Sequence, residues 1–481
     1  MGTIAWEPIA ALHHWASELW GDRTMMTRRR SDQRPVGTLP DDCAIFSAGG
    51  RRSFLRAALG AGASLFRVLS PFRRPGRFEK EEGAKKVNLP LRWRPHEVAR
   101  IPSGYQVAVA DVNGDGRPDI LALSSEASIV EWYENPAWAT HRITTRTRKN
   151  ISLAPFLGRG RRFEGIALAV DFHLDDSTQG SVWWADSSSN AGHPDQEWEL
   201  RPIAQIPTSH RLRWADLDGD GRLELVDVPL LGPGAKAPDY RGGGPITWFD
   251  VPEAIFRHER SQDDRERWRS HLMDDSLSVV HGILVFDWDH DGRDELLTAS
   301  FEGVHLFRST GRGGELRWTK VRLAEGDQNW KPASGAAPAE AHRGSSEVGV
   351  GEVAGHRFLA TIEPWHGDQV VVYLPVEHAR ADQLWERRVI DSSFRDGHAL
   401  ACADFDGDGN DEIVAGYRGP GTSLCLYHTL DDSGTKWERQ TLDTEMAASG
   451  VAIADINGDG RLDVVAIGAS TGNVKWYENL G

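Results

Sequence analysis

Short apolar runs recur along the chain from about residue 85 to the C-terminus, and many of them alternate with a period of two. Such alternation is typical of β-strands, whereas helices repeat every three to four residues. Clear examples are Val107–Ala110 and Ile120–Leu123, which flank one short acidic segment, and Val451–Ala454 and Val464–Ile467, which flank another. The pattern predicts an all-β protein over this part of the chain.

The acidic segment is an internal repeat of five copies, and each copy lies between two apolar runs. Every copy has an acid or amide at positions one, three and five, a Gly at position six and an acid at position nine. The copies begin at Asp111, Asp216, Asp287, Asp404 and Asp455. A third apolar run follows each pair, and a tryptophan then marks a fourth, more polar strand. Repeats of four strands predict a propeller or a related radial fold.

The number of repeats can be inferred from the positions of tryptophan. Six of these residues follow a third run, namely Trp138, Trp198, Trp268, Trp318, Trp385 and Trp437. A seventh, Trp93, precedes the first acidic segment, and only two strands follow the last one. We therefore expect residues 85–481 to form a seven-bladed β-propeller in which the N- and C-terminal strands join in the last blade, so that no edge is left unpaired there. Blades two and five lack the acidic segment.

The acidic segments are predicted calcium sites. Oxygen ligands at these positions can surround one hard cation, and calcium tolerates their geometry better than magnesium does. We expect up to five structural Ca²⁺ ions, with acidic turns that hold no metal as the alternative. The predicted ligands are Asp111, Asn113, Asp115, Asp119, Asp216, Asp218, Asp220, Glu224, Asp287, Asp289, Asp291, Glu295, Asp404, Asp406, Asp408, Glu412, Asp455, Asn457, Asp459 and Asp463.

The same segments resemble the FG-GAP or VCBS repeats of integrin-type and bacterial calcium propellers. This resemblance implies the propeller fold and calcium binding. It leaves function open, because such propellers serve as adhesion modules, sugar binders and lyases.

Histidines recur at one predicted rim of the ring. Six residues before each first loop aspartate, at the opposite end of the innermost strand, lie Tyr105, His210, His281, His398 and Ser449. The turn between the second and third strands of blade five adds His366 to the same face. Neutral imidazoles that converge on a channel are typical ligands of Zn²⁺ or a similar divalent ion. We predict that His210, His281 and His398 hold such an ion. The alternatives are histidines bonded to water and carboxylates, or separate acid and base roles.

The strings around these histidines, with Glu363-Pro-Trp-His366-Gly, are similar to the propeller part of aldos-2-ulose dehydratases. That resemblance implies a metal-dependent lyase, a dehydratase that also isomerises in some cases, acting on an oxidised sugar such as a ketosugar or 1,5-anhydrofructose. A Lewis-acidic ion would activate the ketosugar. The predicted catalytic residues are His366, as base or fourth ligand, Tyr417 and Glu363. The predicted substrate-binding residues are Tyr105, Trp365, Arg418, Tyr240 and Glu347.

Two other function classes remain open at this stage. One is a non-catalytic propeller, stabilised by calcium, that binds polysaccharide or protein. The other is hydrolysis by paired carboxylates, for which Glu302, Glu347 and Glu363 are the candidates.

Composition limits the partners. The chain has 55 Lys and Arg against 71 Asp and Glu, a net charge of −16, which disfavours nucleic acid. The absence of a long apolar run predicts no transmembrane segment. Three cysteines allow at most one disulfide and form no Cys-x-x-Cys metal pair.

The first part of the chain is predicted to lie outside the propeller. Residues 1–50 form a low-order, disordered or cleaved extension in this interpretation, and residues 51–84 hold a leader and linker. The Arg51–Arg56 string and the apolar stretch that follows it resemble a twin-arginine export signal. Export to the periplasm or the exterior is therefore expected. If the segment is instead a basic tail, the protein is expected in the cytoplasm.

Overall fold

The computed structural model describes residues 90–158, 161–190, 196–253, 255, 267–331, 341–376, 380 and 383–481. Within these ranges the chain forms 28 strands in seven four-stranded antiparallel sheets, with two short 3-10 turns at Ser187–Asn190 and Gly313–Glu315. None of the helical segments in the described ranges has the length and apolarity needed to cross a membrane. The extension at 1–50 and the signal and linker at 51–84 lie outside the described residues.

Each sheet is one blade, and the blades are numbered in chain order with their strands given from the inside outward. Blade one contains β2 (Gly104–Ala110), β3 (Asp119–Ser124), β4 (Val130–Glu134) and β5 (Ala139–Thr144). Blade two contains β6 (Ser152–Leu157), β7 (Phe163–Val170), β8 (Ser181–Asp186) and β9 (Glu199–Gln205). Blade three contains β10 (Ser209–Ala215), β11 (Glu224–Pro229), β12 (Ile246–Asp250) and β13 (Arg269–Asp274). Blade four contains β14 (Gly282–Phe286), β15 (Glu295–Ser300), β16 (Gly303–Thr310) and β17 (Arg317–Ala324).

The remaining three blades repeat the pattern. Blade five contains β18 (Glu347–Val353), β19 (His356–Glu363), β20 (Gln369–Leu374) and β21 (Glu386–Asp391). Blade six contains β22 (Gly397–Ala403), β23 (Glu412–Tyr417), β24 (Ser423–Thr429) and β25 (Trp437–Asp443). Blade seven contains β26 (Ala448–Ala454), β27 (Asp463–Gly468), β28 (Asn473–Asn479) and β1 (Trp93–Arg100).

The ring closes as the sequence predicted. Strand β1 pairs with β28, with Trp93 opposite Asn479, so the two ends of the propeller complete one blade. The inner strand of each blade contacts the inner strand of the next, including β26 with β2. Apolar side chains of neighbouring sheets fill the space between them; Ile120 and Tyr133 of blade one, for example, share a cluster with Val465 and Val474 of blade seven. The seven-bladed all-β propeller is confirmed.

The two ends of the inner strands differ in chemistry. The acidic loops follow the last residues of β2, β10, β14, β22 and β26, and they lead into the second strand of each blade. The opposite ends of these strands carry the histidines and Tyr105. The fold therefore separates the predicted calcium loops from the predicted channel site by the length of a strand.

Candidate functional site

The first residues of the inner strands meet around the channel and bring together side chains that are far apart in sequence. His210 and His398 are the second residues of β10 and β22, and His281 immediately precedes β14. Each of the three histidines is only 1% exposed. Tyr105 of β2 lies against them, with its hydroxyl 2.9 Å from His210 Nε2. The radial arrangement of the blades therefore gathers these residues at one rim, as predicted.

His366 enters the same cluster from the turn between β19 and β20. Its backbone has a positive φ of 51°, a conformation that is costly for a non-glycine residue and often found at functional sites. The ring stacks against Trp365, with centroids 4.6 Å apart. This position brings His366 Nε2 to 3.1 Å from His281 Nε2.

Three histidines form the group best placed to hold a metal. Ligand nitrogens of His281, His366 and His398 all lie within 4.8 Å of one another. The predicted set had His210 in the place of His366, whereas the closely spaced group in the structure contains His366. Although the His210 ring lies 4.8 Å from that of His281, its Nε2 faces the Tyr105 hydroxyl and lies 3.0 Å from Arg211 Nη1. His210 is therefore a neighbour of the group.

Two histidines of the group, His281 and His398, have an Nδ1 within hydrogen-bond distance of an oxygen outside the cluster, and His366 does not. His281 Nδ1 lies 3.0 Å from Glu347 Oε1, and His398 Nδ1 lies 2.7 Å from the Ser449 carbonyl oxygen. His366 Nδ1 lies 3.6 Å from Asp396 Oδ1. Such outer partners fix the tautomer and orientation of metal-binding histidines, leaving Nε2 for the ion.

The distances fit a small divalent ion. With zinc–nitrogen bonds of about 2.0–2.1 Å, tetrahedral geometry places two ligand nitrogens about 3.3 Å apart. The Nε2 atoms of His281 and His366 are 3.1 Å apart, and the buried Nε2 of His398 has no hydrogen-bond partner among the described residues. The donor set and its orientation therefore suit zinc or a similar ion.

Burial and nearby arginines keep the imidazoles neutral. Burial, followed by the charge of Arg211, holds the pKa of His210 well below its ordinary value. Burial, followed by the charge of Arg418, lowers the pKa of His366 and of His398 in the same way. Neutral imidazole is the form that binds metal or accepts a proton.

Glu347 lies between the histidines and an arginine. Its Oε1 accepts from Arg211 Nη2 at 3.2 Å and also contacts His281 Nδ1. Burial acts to raise the pKa of Glu347, but the His281 hydrogen bond and the Arg211 charge hold it below its ordinary value. The prediction placed Glu347 among the substrate contacts; in the structure its partners are a histidine of the metal group and an arginine.

The site opens on the side of blades five and six. The side chains of His366, Arg418 and Asp396 are 21%, 20% and 38% exposed, unlike the other histidines of the group. Arg418 Nε donates to Asp396 Oδ2 at 2.8 Å, and its Nη2 lies 3.4 Å from His366 Nδ1. Arg418 therefore lines the opening, where a ligand would first contact the protein.

Glu363 is not a candidate acid in this geometry. It is fully buried, its Oε1 accepts hydrogen bonds from Ser345, Thr361 and Tyr373, and its Oε2 accepts from Arg387 Nε at 2.8 Å. Both oxygens are engaged inside blade five. This network corrects the predicted catalytic role, since the carboxyl group cannot reach a channel ligand.

Three aromatic residues that were predicted to act in catalysis or substrate binding are engaged by contacts within the protein. The Tyr417 hydroxyl donates to the Gly421 carbonyl at 2.9 Å, and its ring packs on Phe394. Tyr240 and Trp365 are 2% and 1% exposed, and their rings contact each other in a buried apolar cluster. Trp365 supports His366 from behind, so neither ring offers a free face to a sugar.

Two contributors to the site were missed from the sequence, Arg211 and Asp396. Arg211 adjoins His210 and Asp396 lies two residues before His398, so their positions beside histidines were the available signal. In the folded ring Arg211 contacts His210, and Asp396 lies near His366. These contacts depend on the tertiary structure.

The carboxylate oxygens of the acidic loops point toward the interior of their own loop. The first carboxylate of each loop accepts the backbone N–H of the glycine at position six, at 2.8 to 3.1 Å. Oxygens gather within 4.8 Å in three loops, involving Asp216, Asp218 and Asp220; Asp287, Asp289 and Asp291; and Asp404, Asp406 and Glu412. Such clusters of oxygens fit a calcium ion.

The ninth residue is buried in four loops and partly buried at Glu224, which disfavours its ionised form. Burial, opposed by a backbone hydrogen bond, raises the pKa of Glu224 to about 8 and that of Glu412 to about 9, with neighbouring aspartates adding to the effect. A bound cation would offset this repulsion. Asp119 and Asp463 differ from the two glutamates in their hydrogen bonding. Both carboxylate oxygens of each aspartate accept a backbone N–H, one from the loop and one from a residue at the end of the third strand.

Family comparisons agree with this architecture. Residues 179–376 match the aldos-2-ulose dehydratase beta-propeller domain, residues 404–466 an FG-GAP-like repeat, and residues 103–127 an FG-GAP repeat. A curated relative, aldos-2-ulose dehydratase of Phanerodontia chrysosporium, is 26% identical over 317 residues, which cover 60% of this chain and 32% of that protein. The match therefore spans about a third of the relative's length.

Two solved structures show a similar trace. A lectin of Agrocybe aegerita, described as recognising non-reducing terminal N-acetylglucosamine, is 13% identical with a TM-score of 0.43, covering 79% of this chain and 86% of that one. AofleA of Arthrobotrys oligospora is 10% identical with a TM-score of 0.38, covering 73% and 89%. The chain is a seven-bladed propeller with segments that match FG-GAP repeats and the aldos-2-ulose dehydratase beta-propeller domain.

Proposed function

We propose that this protein is a metal-dependent hydro-lyase that removes water from an oxidised sugar, such as a ketosugar, at the histidine rim of the channel. The similarity to aldos-2-ulose dehydratase supports a carbohydrate-related role at the coarser level. The observation that carries the finer proposal is the convergence of ligand nitrogens of His281, His366 and His398, with the Nδ1 atoms of His281 and His398 held by oxygens outside the group.

Zn²⁺ or a similar ion, when bound by these three histidines, would supply Lewis acidity toward a carbonyl oxygen and leave a position open for the ligand. Glu347 and the Ser449 carbonyl would keep the rings of His281 and His398 oriented. Arg418, at the opening, would donate hydrogen bonds to the hydroxyl groups of the sugar.

Tyr105 and His210 would move the protons. Their oxygen and nitrogen are 2.9 Å apart, and Arg211 Nη1 lies 3.3 Å from the Tyr105 oxygen. Elimination of water needs a base for the C–H next to the carbonyl and an acid for the departing hydroxyl. Neutral His210 can accept the Tyr105 proton, and the tyrosinate can then take the proton from the C–H bond. The Tyr105 hydroxyl formed in this way would give that proton to the departing hydroxyl, which leaves as water, and His210 would return its proton to the tyrosinate. In this proposal the pair takes the base role first predicted for His366 and the acid role first predicted for Tyr417.

Calcium is proposed as a structural ion in the five acidic loops. The convergence of carboxylates and the raised pKa of the buried ninth residues support it, since a cation would stabilise their ionised form. Each ion would fix the turn between the first two strands of its blade, at the end of the ring away from the histidines.

The experiment combines metal analysis with turnover. Purified protein would be analysed for calcium and zinc, then incubated with ketosugars including 1,5-anhydrofructose while mass spectrometry follows the loss of one water. We expect dehydration that is abolished in His281→Ala and strongly reduced in Tyr105→Phe, with Glu386→Gln, on the outer strand of blade five, as the unaffected control. Calcium without any channel metal, together with sugar binding but no turnover, would favour the non-catalytic binding module.

A further inference from the structure

Arg213 extends from β10 two residues after Arg211, and residues two apart share one face of a strand. It lies three residues before the first loop aspartate of blade three. The equivalent residues in the other loop-bearing blades are Ala108, Leu284, Ala401 and Ala452. The propeller fold therefore does not require an arginine at this position.

The positive charge of Arg213 is not balanced. Its Nη1 donates to the Leu212 carbonyl at 2.9 Å, while its buried Nε has no hydrogen-bond partner in the part of the chain that the structure describes. Among the ion pairs of the described residues none involves Arg213, whereas Arg211 pairs with Glu347 at 3.2 Å. Glu347 also serves His281. Two guanidinium groups in the channel thus depend on one carboxylate that is already shared.

Keeping an unpaired cation in a buried position is costly unless an anion accompanies it. Burial, followed by the charge of Arg211, lowers the pKa of Arg213 to about 10, which leaves the group charged at neutral pH. Guanidinium presents a planar fork of N–H donors that matches the oxygens of carboxylate, sulfate or phosphate. A partly exposed arginine with a free buried donor is therefore suited to an oxyanion.

We propose that Arg213, together with Arg211, forms an oxyanion site in the channel between the histidine rim and the calcium loops. Its ligand is an oxyanion, either the carboxylate of an acidic sugar such as glucuronate or a small inorganic ion such as sulfate. The site requires neither turnover nor the channel metal, so it goes beyond the proposed hydro-lyase activity.

The test measures thermal stability and calorimetric binding in a buffer free of oxyanions and low in chloride. Glucuronate and sulfate are the probes, and glucose is the neutral control. We expect an oxyanion, and not glucose, to raise the melting temperature of the wild-type protein. Arg213→Met should lose this effect and melt higher than wild type without anion, because the unpaired charge is gone. Arg388→Met, which removes an arginine from the outer strand β21, should respond like wild type.

The two sources of the ligand separate in the same experiment. Saturation at a lower concentration of glucuronate than of sulfate indicates an acidic sugar, whereas a response to sulfate alone indicates a small ion. Arg213→Lys keeps the charge without the fork and should bind about tenfold more weakly or worse. This variant keeps the test decisive if Arg213→Met does not fold.

The proposed activity can fail without affecting this site. His281→Ala, which should abolish dehydration, is expected to retain oxyanion binding. The proposal is overturned if no oxyanion stabilises the wild-type protein, or if Arg213→Met and Arg213→Lys bind as tightly as wild type.

Discussion

Replacing Glu347 by Gln tests whether the histidine group is a metal site. One oxygen of Glu347 contacts both His281 Nδ1, at 3.0 Å, and Arg211 Nη2, at 3.2 Å. Glutamine has nearly the same shape and keeps an acceptor, so the change removes charge while disturbing the packing little. Loss of this charge weakens the hold on the His281 tautomer and makes the surroundings of the ion more positive. Both effects act against a cation.

The expected loss of zinc affinity is about 10- to 100-fold, the usual result of removing an outer partner of a metal-binding histidine. This corresponds to about 1.4–2.7 kcal/mol. The assay is a competition titration of metal-free protein against a chromophoric zinc chelator, with saturating calcium present to occupy the acidic loops. Glu386→Gln, which removes an exposed acid from β21, is the matched control. Circular dichroism would establish that both variants are folded.

A folded Glu347→Gln variant with wild-type zinc affinity would refute this account of the site. So would wild-type protein that takes up no zinc beyond its acidic loops, because the convergence of the three histidines would then have another cause.

Three further predictions concern stability. Removing calcium with a selective chelator should lower the melting temperature, with recovery on adding calcium and little recovery on adding magnesium; an unchanged melting curve would contradict the loop assignment. Glu363→Gln should lower the free energy of unfolding in urea by about 1–3 kcal/mol, because the amide is a poorer acceptor for Arg387 and the three hydroxyl donors, while zinc affinity stays unchanged. Weakened zinc binding at normal stability would instead return Glu363 to the site. Asp227 is fully buried, and its only side-chain hydrogen bond among the described residues is from Ser209. Burial raises the pKa of Asp227 to about 7. Because the unfolded state releases this proton at lower pH than the folded state, the free energy of unfolding falls as pH rises from about 4 to 7. Asp227→Asn should therefore gain about 4 kcal/mol relative to wild type across that range, and a constant difference between the two proteins would show that Asp227 is already ionised when folded.

The sequence was sufficient to predict the fold because its signals are local and repeated. Period-two alternation marks strands, the spacing of acids and Gly marks the loops between them, and a tryptophan marks each outer strand. The unequal ends, with Trp93 before the first loop and two strands after the last, predicted how the ring closes. Counting back from each loop also placed His210, His281 and His398 at one rim, since every inner strand has a similar length.

Only the tertiary structure decided which of these side chains act together. His366 comes from a turn and replaces His210 in the metal group because a left-handed backbone and the Trp365 ring direct it inward. Glu363 precedes His366 by three residues, yet it faces the interior of blade five, where four donors engage it. Such outcomes depend on side-chain direction and on partners from other blades. These are set by the closed ring, so no spacing within one repeat could reveal them.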